Sequence, residues 1–139
     1  MDHPVSRKHK LLVKNMNMVL LRRFSAKEEV RRLVAAPLLD DQLPYELIGI
    51  ENHLNYIYRL RGRLTEAETL GLSALLNSSL LDRYFRISNG NTQVSATELR
   101  AMPMPPMDVL SQLGAKIKEL PVVPMLEEVD ALVQRTLGV

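Results

Sequence analysis

Apolar and polar residues follow two different periods along the chain, and the period changes near residue 65. Residues 18–24, which begin with four apolar residues and are bounded by Asn17 and Ser25, predict a strand. A turn is predicted at residues 40–44, where aspartates and a proline cluster. Two more strands are predicted near residues 46–50 and 54–58, the second from its alternating side chains. The first half of the chain is therefore predicted to be rich in strands.

Helical spacing replaces alternation in the second half. Thr65 and Glu68 form a capping-box pattern that predicts the start of a helix. Gly71 lies inside this helix at a cost of about 1 kcal/mol relative to alanine, which suggests close packing there. A short strand or extended segment is predicted at residues 102–105, and two helices follow, the first ended by Pro121 and the second opened by Pro124. Three sets of residues recur at the spacing of one helix face, namely Leu72, Leu75, Leu76 and Ser79; Leu110, Leu113, Ile117 and Leu120; and Leu126, Val129, Val133 and Leu137.

Composition limits the class of protein. The 139 residues suit one domain with its own core, and no apolar run approaches the length of a membrane span. The absence of cysteine excludes disulfides and thiolate metal sites, which fits a cytoplasmic protein. Residues 1–32 contain nine Lys or Arg against three Asp or Glu, a net charge of +6, whereas the remainder carries −4. A basic segment of this kind suits a surface that contacts phosphate, although a solvated face has the same composition.

Three blocks of sequence, in order, carry a resemblance to a known family. The first is Val19-Leu20-Leu21-Arg22-Arg23-Phe24-Ser25-Ala26-Lys27-Glu28-Glu29, and the second is Ile50-Glu51-Asn52-His53-Leu54-Asn55-Tyr56-Ile57. The third spans residues 77–105, where Asn77-Ser78 precedes a polar turn around Gly90 and the segment Met102-Pro103-Met104-Pro105. Together these blocks resemble the target-recognition domain at the C-terminal end of restriction–modification adenine-specific DNA methyltransferases.

The resemblance implies an α+β fold, with a small twisted mixed or antiparallel sheet, a long central helix and two C-terminal helices. It implies that residues 31–38 form a strand paired with the preceding one, although helix propensity favours a helix over residues 26–36. We expect residues 1–10 to be a flexible lead-in and residues 11–139 to be a single DNA target-recognition domain. This domain would be the C-terminal fragment of a larger enzyme, and Asn77-Ser78 would fix its helix against its sheet.

The motifs of methyl transfer are missing from the chain. Such an enzyme needs a glycine-rich turn for S-adenosylmethionine and an Asp/Asn-Pro-Pro-aromatic loop for the extruded base. Pro105-Pro106 is flanked by Met104 and Met107, and no two glycines lie close together in a strand-to-helix turn. We therefore predict no catalytic, cofactor or metal site in this chain. S-adenosylmethionine would bind the N-terminal methyltransferase domain of the same polypeptide, and that parent enzyme, fused to a nuclease in some members of the family, would act on double-stranded DNA.

The candidate DNA-binding residues are arginines, lysine, amides and a hydroxyl. Arginine can bind phosphate or guanine, whereas Asn and Gln can bind adenine bidentately. The predicted phosphate contacts are Arg22, Arg23, Lys27, Arg31 and Arg32. The loop at residues 59–63 contributes Arg59, Arg61 and Arg63, and the turn around Gly90 contributes Asn89, Asn91, Thr92 and Gln93. Gly90 is expected to have a positive φ angle.

Two other functions fit the same sequence. The last two helices and four methionines (Met102, Met104, Met107 and Met125) are compatible with a protein-interaction domain, because methionine-rich surfaces adapt to partners. A stand-alone specificity subunit that recruits a separate methylase is the other alternative. Salt-sensitive binding to duplex DNA would distinguish a DNA-binding domain from a protein-binding one.

Overall fold

The structure, a computed structural model, describes residues 5–7, 10–88 and 93–139. Within these ranges the chain forms six strands followed by five helices. The strands are β1 (Val5–Arg7), β2 (Lys10–Lys14), β3 (Met18–Arg22), β4 (Ala35–Leu38), β5 (Leu47–Glu51) and β6 (Leu54–Ile57). The helices are α1 (Glu66–Leu76), α2 (Ser79–Ser88), α3 (Ala96–Ala101), α4 (Met107–Lys118) and α5 (Leu126–Leu137). The predicted α+β class is confirmed.

The strands form two antiparallel sheets of three strands each, where the sequence predicted a single small sheet. We call β1-β2-β5 the outer sheet and β4-β3-β6 the central sheet. Alternation along β3 explains the division, because Val19 and Leu21 belong to the core shared with the helices. Met18 and Leu20 instead belong to a smaller core shared with the outer sheet. The central sheet is therefore the middle of three layers.

The segment predicted as either helix or strand is a strand at its C-terminal end. β4 pairs antiparallel with β3, with Leu21 opposite Ala35 and Met18 opposite Leu38. Residues 26–34 are neither helix nor strand. Pro37 is tolerated because β4 lies at the edge of the central sheet, where no ladder hydrogen bond is lost.

Asn77 joins the helices to this edge strand, as predicted. Its Nδ2 donates to the carbonyl of Ala35 at 2.9 Å, and its Oδ1 accepts from the Ala35 amide at 2.8 Å. The side-chain amide thus pairs with both outward backbone groups of Ala35, as a neighbouring strand would. Asn77 also ends α1, and α2 begins two residues later, so the predicted long central helix consists of two helices separated at Asn77-Ser78.

The predicted start of α1 and the predicted role of Gly71 are both confirmed. Thr65 and Glu68 form a capping box with hydrogen bonds of 2.9 and 3.0 Å. A Cβ atom on Gly71 would lie 1.8 Å from the carbonyl oxygen of Leu110, and one on Gly114 would lie 1.7 Å from that of Ala67. Helices α1 and α4 therefore contact each other through their backbones at two glycines.

The remaining elements differ in detail from the sequence prediction. Helix α3 was not predicted, and the segment after it begins in extended geometry at Met102 without forming a strand. Helix α5 begins at Leu126, two residues after Pro124. In the segment predicted as a lead-in, Val5–Arg7 form β1 and Lys10 begins β2. Within the described ranges, no helix has both the length and the apolar character needed to cross a membrane.

Candidate nucleic-acid interface

The basic segment at residues 22–32 is largely held by hydrogen bonds to the rest of the protein. At its start, both Nη atoms of Arg22 donate to the carboxylate of Glu29, at 3.0 and 3.2 Å. These bonds, and a bond from the Ala26 amide, hold the pKa of Glu29 below its ordinary value. Both side chains of this ion pair remain substantially exposed, so the pair adds little to stability. The Arg22 side chain therefore remains accessible to solvent although it is paired.

Arg31 and Arg32 have structural partners instead. Arg31 Nη2 lies 3.0 Å from Asp130 Oδ2, and its Nε donates to the carbonyl of Asn77. Arg32 is only 1% exposed; its Nε donates to Ser25 Oγ at 2.8 Å and its guanidinium lies over the ring of Phe85. Burial removes Arg32 from the side chains that can reach a phosphate, contrary to the sequence prediction.

An arginine that the sequence analysis did not select fixes the backbone beside Lys27. Arg86 in α2 donates to Asp82 Oδ2 at 2.8 Å and to the carbonyls of Lys27 and Glu29. The side chain of Lys27 itself is exposed. The segment is thus held against α2 while Lys27 remains available to solvent.

The second arginine group lies at the other end of the central sheet. β6 begins opposite Arg22 and ends opposite Val19, so the loop that follows it is remote from the end of β3. In that loop Arg59 pairs with Glu68 at 3.0 Å, Arg63 pairs with Asp40 at 3.1 Å, and Arg61 is exposed. The structure therefore does not bring the two predicted arginine groups together.

Two of the predicted residues, Arg23 and Gln93, do converge at the C-terminal end of β3. The Arg23 amide donates to the carbonyl of His53 at 3.0 Å, and its Nη1 donates to the carbonyl of Asn52 at 2.8 Å. Phe24 pairs with Gln93 in an isolated antiparallel bridge, and the Val94 amide donates to the carbonyl of Arg23. We call the group formed by Arg23, Phe24, His53 and Gln93 the strand-end surface.

This surface lies where the chain returns from the predicted polar turn. Asn89, Gly90, Asn91 and Thr92 lie outside the described residues, so their predicted roles and the φ angle of Gly90 remain predictions. Gln93, the next residue, is exposed on the strand-end surface. Asn55 Nδ2 donates to the carbonyl of Val94 at 2.8 Å and fixes this return to β6. The chain therefore enters the strand-end surface directly from residue 92.

Phe24 and His53 are the members of this surface that the sequence analysis left out of its candidate DNA-binding residues. The Phe24 ring is 48% exposed and lies 6.0 Å from the Arg23 guanidinium and 6.2 Å from the His53 ring. His53 Nδ1 lies 2.6 Å from Glu51 Oε1. One feature of the sequence could have identified Phe24: it is an aromatic residue directly after two arginines at the end of a predicted strand.

The described residues also contain two apolar grooves, and the four candidate methionines do not share one. Met102, Met104 and Met107 line a groove of about 490 Å³ between the end of β6, α3 and α4. A second groove of about 680 Å³ lies between β4, α1 and the α4–α5 connection, and Met125 is not among its lining residues. No group of three potential metal ligands occurs among the described residues.

Comparison with known proteins gives two related sequences. The chain is 43% identical over 110 residues to the type II methyltransferase M.BsuBI of Bacillus subtilis, which covers 79% of this chain and 22% of that protein. It is 40% identical over 107 residues to the type II methyltransferase M.PstI of Providencia stuartii, covering 77% and 21% respectively. No protein-family model and no solved structure matches the chain. The chain is thus similar to type II methyltransferases and spans about a fifth of their length.

Proposed function

We propose that this chain is the double-stranded DNA recognition domain of an adenine-specific, S-adenosylmethionine-dependent methyltransferase of a restriction–modification system. The similarity to two type II methyltransferases supports the methyltransferase part of this proposal. The strand-end surface supports the DNA-binding part, because a cation, an exposed ring and an amide side chain converge there. That convergence is the observation on which the proposal mainly rests.

Methyl transfer itself is assigned to another part of the parent protein. The sequence has no glycine-rich turn and no Asp/Asn-Pro-Pro-aromatic loop, so these residues do not fit S-adenosylmethionine or an extruded adenine. The chain's own contribution is to hold the duplex in position. Phosphate contacts set the register of the protein on the duplex, and side chains at base edges read the sequence.

The accessible cations suggest how the duplex is held. At one end of the central sheet, Arg22 and Lys27 are exposed beside Arg23. Gln93 follows the predicted base-reading turn and offers the amide that suits adenine. Arg61 and Arg63 lie at the other end of the central sheet, and Arg63 forms an exposed ion pair there. At that end they would contact phosphates in a more distant part of the duplex. Arg31 is paired with the half-buried Asp130 and Arg32 is itself buried, so neither is given this role.

Binding to labelled duplex DNA at several salt concentrations tests this function. Each neutralised phosphate contributes about −0.9 to the slope of log affinity against log salt. Replacing Arg23 and Lys27 together by alanine should therefore flatten the slope by about 2. Arg135→Ala, which removes an exposed cation from α5, is the matched control and should leave the slope unchanged. Equal slopes for the wild type and the double variant would show that the duplex does not bind at this end.

A protein-interaction domain is the second candidate, and the groove beside β4 favours it. Val122 and Val123 on the α4–α5 connection line this groove, and Val123 is 91% exposed. Burying such side chains against a partner would be favourable. Association that depends on Val123 and is insensitive to salt, without binding to DNA, would support this candidate instead.

A further inference from the structure

Phe24 is unusual because an aromatic side chain is held in an exposed position. The chain contains two phenylalanines, and the other, Phe85, is completely buried in the core. Phe24 is 48% exposed although it lies only two residues after the end of the central strand β3. Exposing a ring of this size is unfavourable unless a ligand covers it. A single exposed apolar side chain is nevertheless common, so its surroundings decide whether it has a function.

The surroundings fix both the backbone and the ring of Phe24. The bridge to Gln93 and the hydrogen bond from the Arg23 amide to the His53 carbonyl hold the backbone on both sides. The Arg23 guanidinium lies 6.0 Å from the ring centroid, and the His53 ring meets it edge-on at 63°. A ring held in this way is ordered before any ligand arrives, so binding loses little conformational entropy.

Cations and carboxylates both surround Phe24. Arg22 and His53 have carboxylate partners in Glu29 and Glu51. Arg23 and the exposed Lys27 are therefore the cations that this site offers to a polyanion with flat apolar faces. Phosphates attract these cations, whereas a protein helix or an apolar peptide would have to desolvate them. Nucleic-acid bases stack on aromatic side chains, and apolar side chains of DNA-binding proteins can enter between base steps. Duplex DNA thus combines both of the features that this site would recognise.

We propose that Phe24 enters a base step of the bound duplex and stacks on a base there. Arg23 and His53 hold the ring and lie beside the phosphates that flank the opened step. This inference rests on the proposed DNA-binding function and adds to it a deformed duplex as the preferred ligand. Because opening a step costs stacking energy, a duplex that is already weakened at that step should bind more tightly.

Two probes test this role, namely a labelled duplex of about 20 base pairs and the same duplex with a central T·T mismatch. The wild type should bind the mismatched duplex about five- to tenfold more tightly than the paired one. Phe24→Ala should lose this preference and bind the paired duplex about tenfold more weakly. Phe24→Trp should retain the preference, and Phe24→Leu, which can enter a step but cannot stack, should keep part of it. The melting temperature of each variant separates loss of binding from loss of fold.

Val123→Ala is the matched control, because it truncates a more exposed apolar side chain outside the strand-end surface. It should change neither affinity nor preference. If the wild type binds the duplex with the expected salt dependence but a folded Phe24→Ala variant behaves like the wild type on both probes, Phe24 only packs against the β5–β6 turn and the inference is wrong. If the wild type binds neither probe, the proposed DNA-binding function fails together with it.

Discussion

The contact between α1 and α4 and the basic segment at residues 22–32 are held together in opposite ways. At the helix contact, Gly71 and Gly114 let two backbones meet without side chains between them. In the basic segment, long arginine side chains reach partners that are far away in sequence, as Arg31 reaches Asp130. The first region is defined by side chains that are missing, and the second by long side chains, of which Arg31 and Arg32 have partners within the protein.

This difference determines what each region reveals in the sequence. A glycine inside a predicted helix is unfavourable by itself, so Gly71 indicated a close approach before any partner was known. An arginine carries no such indication, because the same residue serves a phosphate, a carboxylate or a buried hydroxyl. Arg32 illustrates this, since its partners Ser25 and Phe85 come from a neighbouring loop and from α2. The charge of a segment therefore predicts a surface less reliably than a misplaced glycine predicts a contact.

Two separate substitutions at neighbouring positions of α4, Gly114→Ala and Ala115→Gly, should give the largest difference in stability. Gly114→Ala places a Cβ atom 1.7 Å from the Ala67 carbonyl, which should lower the free energy of unfolding by about 3 kcal/mol or more. Ala115→Gly, at the next and exposed position, should cost only the helix propensity of about 1 kcal/mol. Urea denaturation of both variants measures the difference.

Helix propensity alone predicts the reverse order for these two variants, since alanine is the better helix former. A Gly114→Ala protein that is as stable as the wild type would show that α1 and α4 are further apart than in this structure. The Lys118–Glu66 ion pair, at 3.1 Å, continues the same contact toward the end of α4.

Replacing Arg32 should have the next largest effect on stability, and it tests how far the basic segment depends on a buried arginine. Arg32→Ala removes a buried guanidinium from Ser25 and Phe85, so we expect a loss of roughly 2–3 kcal/mol in the free energy of unfolding. Arg61→Ala removes an exposed arginine from a loop and should change stability by less than about 0.5 kcal/mol. A normal stability with a flatter salt slope for Arg32→Ala would instead identify Arg32 as a phosphate contact.

The sequence predicted those parts of the fold whose signal is local. Residues 18–24 begin with four apolar residues and are bounded by Asn17 and Ser25, and β3 forms within that segment. Asn77 was expected to join helix and sheet, and it does so through Ala35. The division into two sheets was not predicted, because the continuous apolar run of β3 indicates that both of its faces are covered but not by what. Helix α3 was missed because its six residues include none that is buried.

The candidate site was less predictable for a related reason. Arg23, Phe24 and Gln93 come together through the pairing of residues that are about seventy positions apart, and no local pattern contains that pairing. His53 joins them only because the β5–β6 turn lies beside the end of β3. Residue types therefore suggested a class of ligand, whereas the fold decided which of them share a surface.

Replacing Glu29 should have the smallest effect on stability, and it tests whether the ion pair between Arg22 and Glu29 helps to fix the basic segment. Hydrogen bonds from Arg22 and from the Ala26 amide lower the pKa of Glu29 below its ordinary value of 4.5. The unfolded chain therefore binds this proton more readily, so the stabilisation is complete above pH 4.5 and is lost as pH falls through the folded pKa. The melting temperature of Glu29→Gln should consequently approach that of the wild type as pH falls below 4.5. In an Arg22→Met background the pH-dependent difference should be smaller, because only the Ala26 amide still donates to the Glu29 carboxylate. A gap between wild type and Glu29→Gln that stays constant across this pH range would mean that Arg22 contributes nothing to fixing the segment.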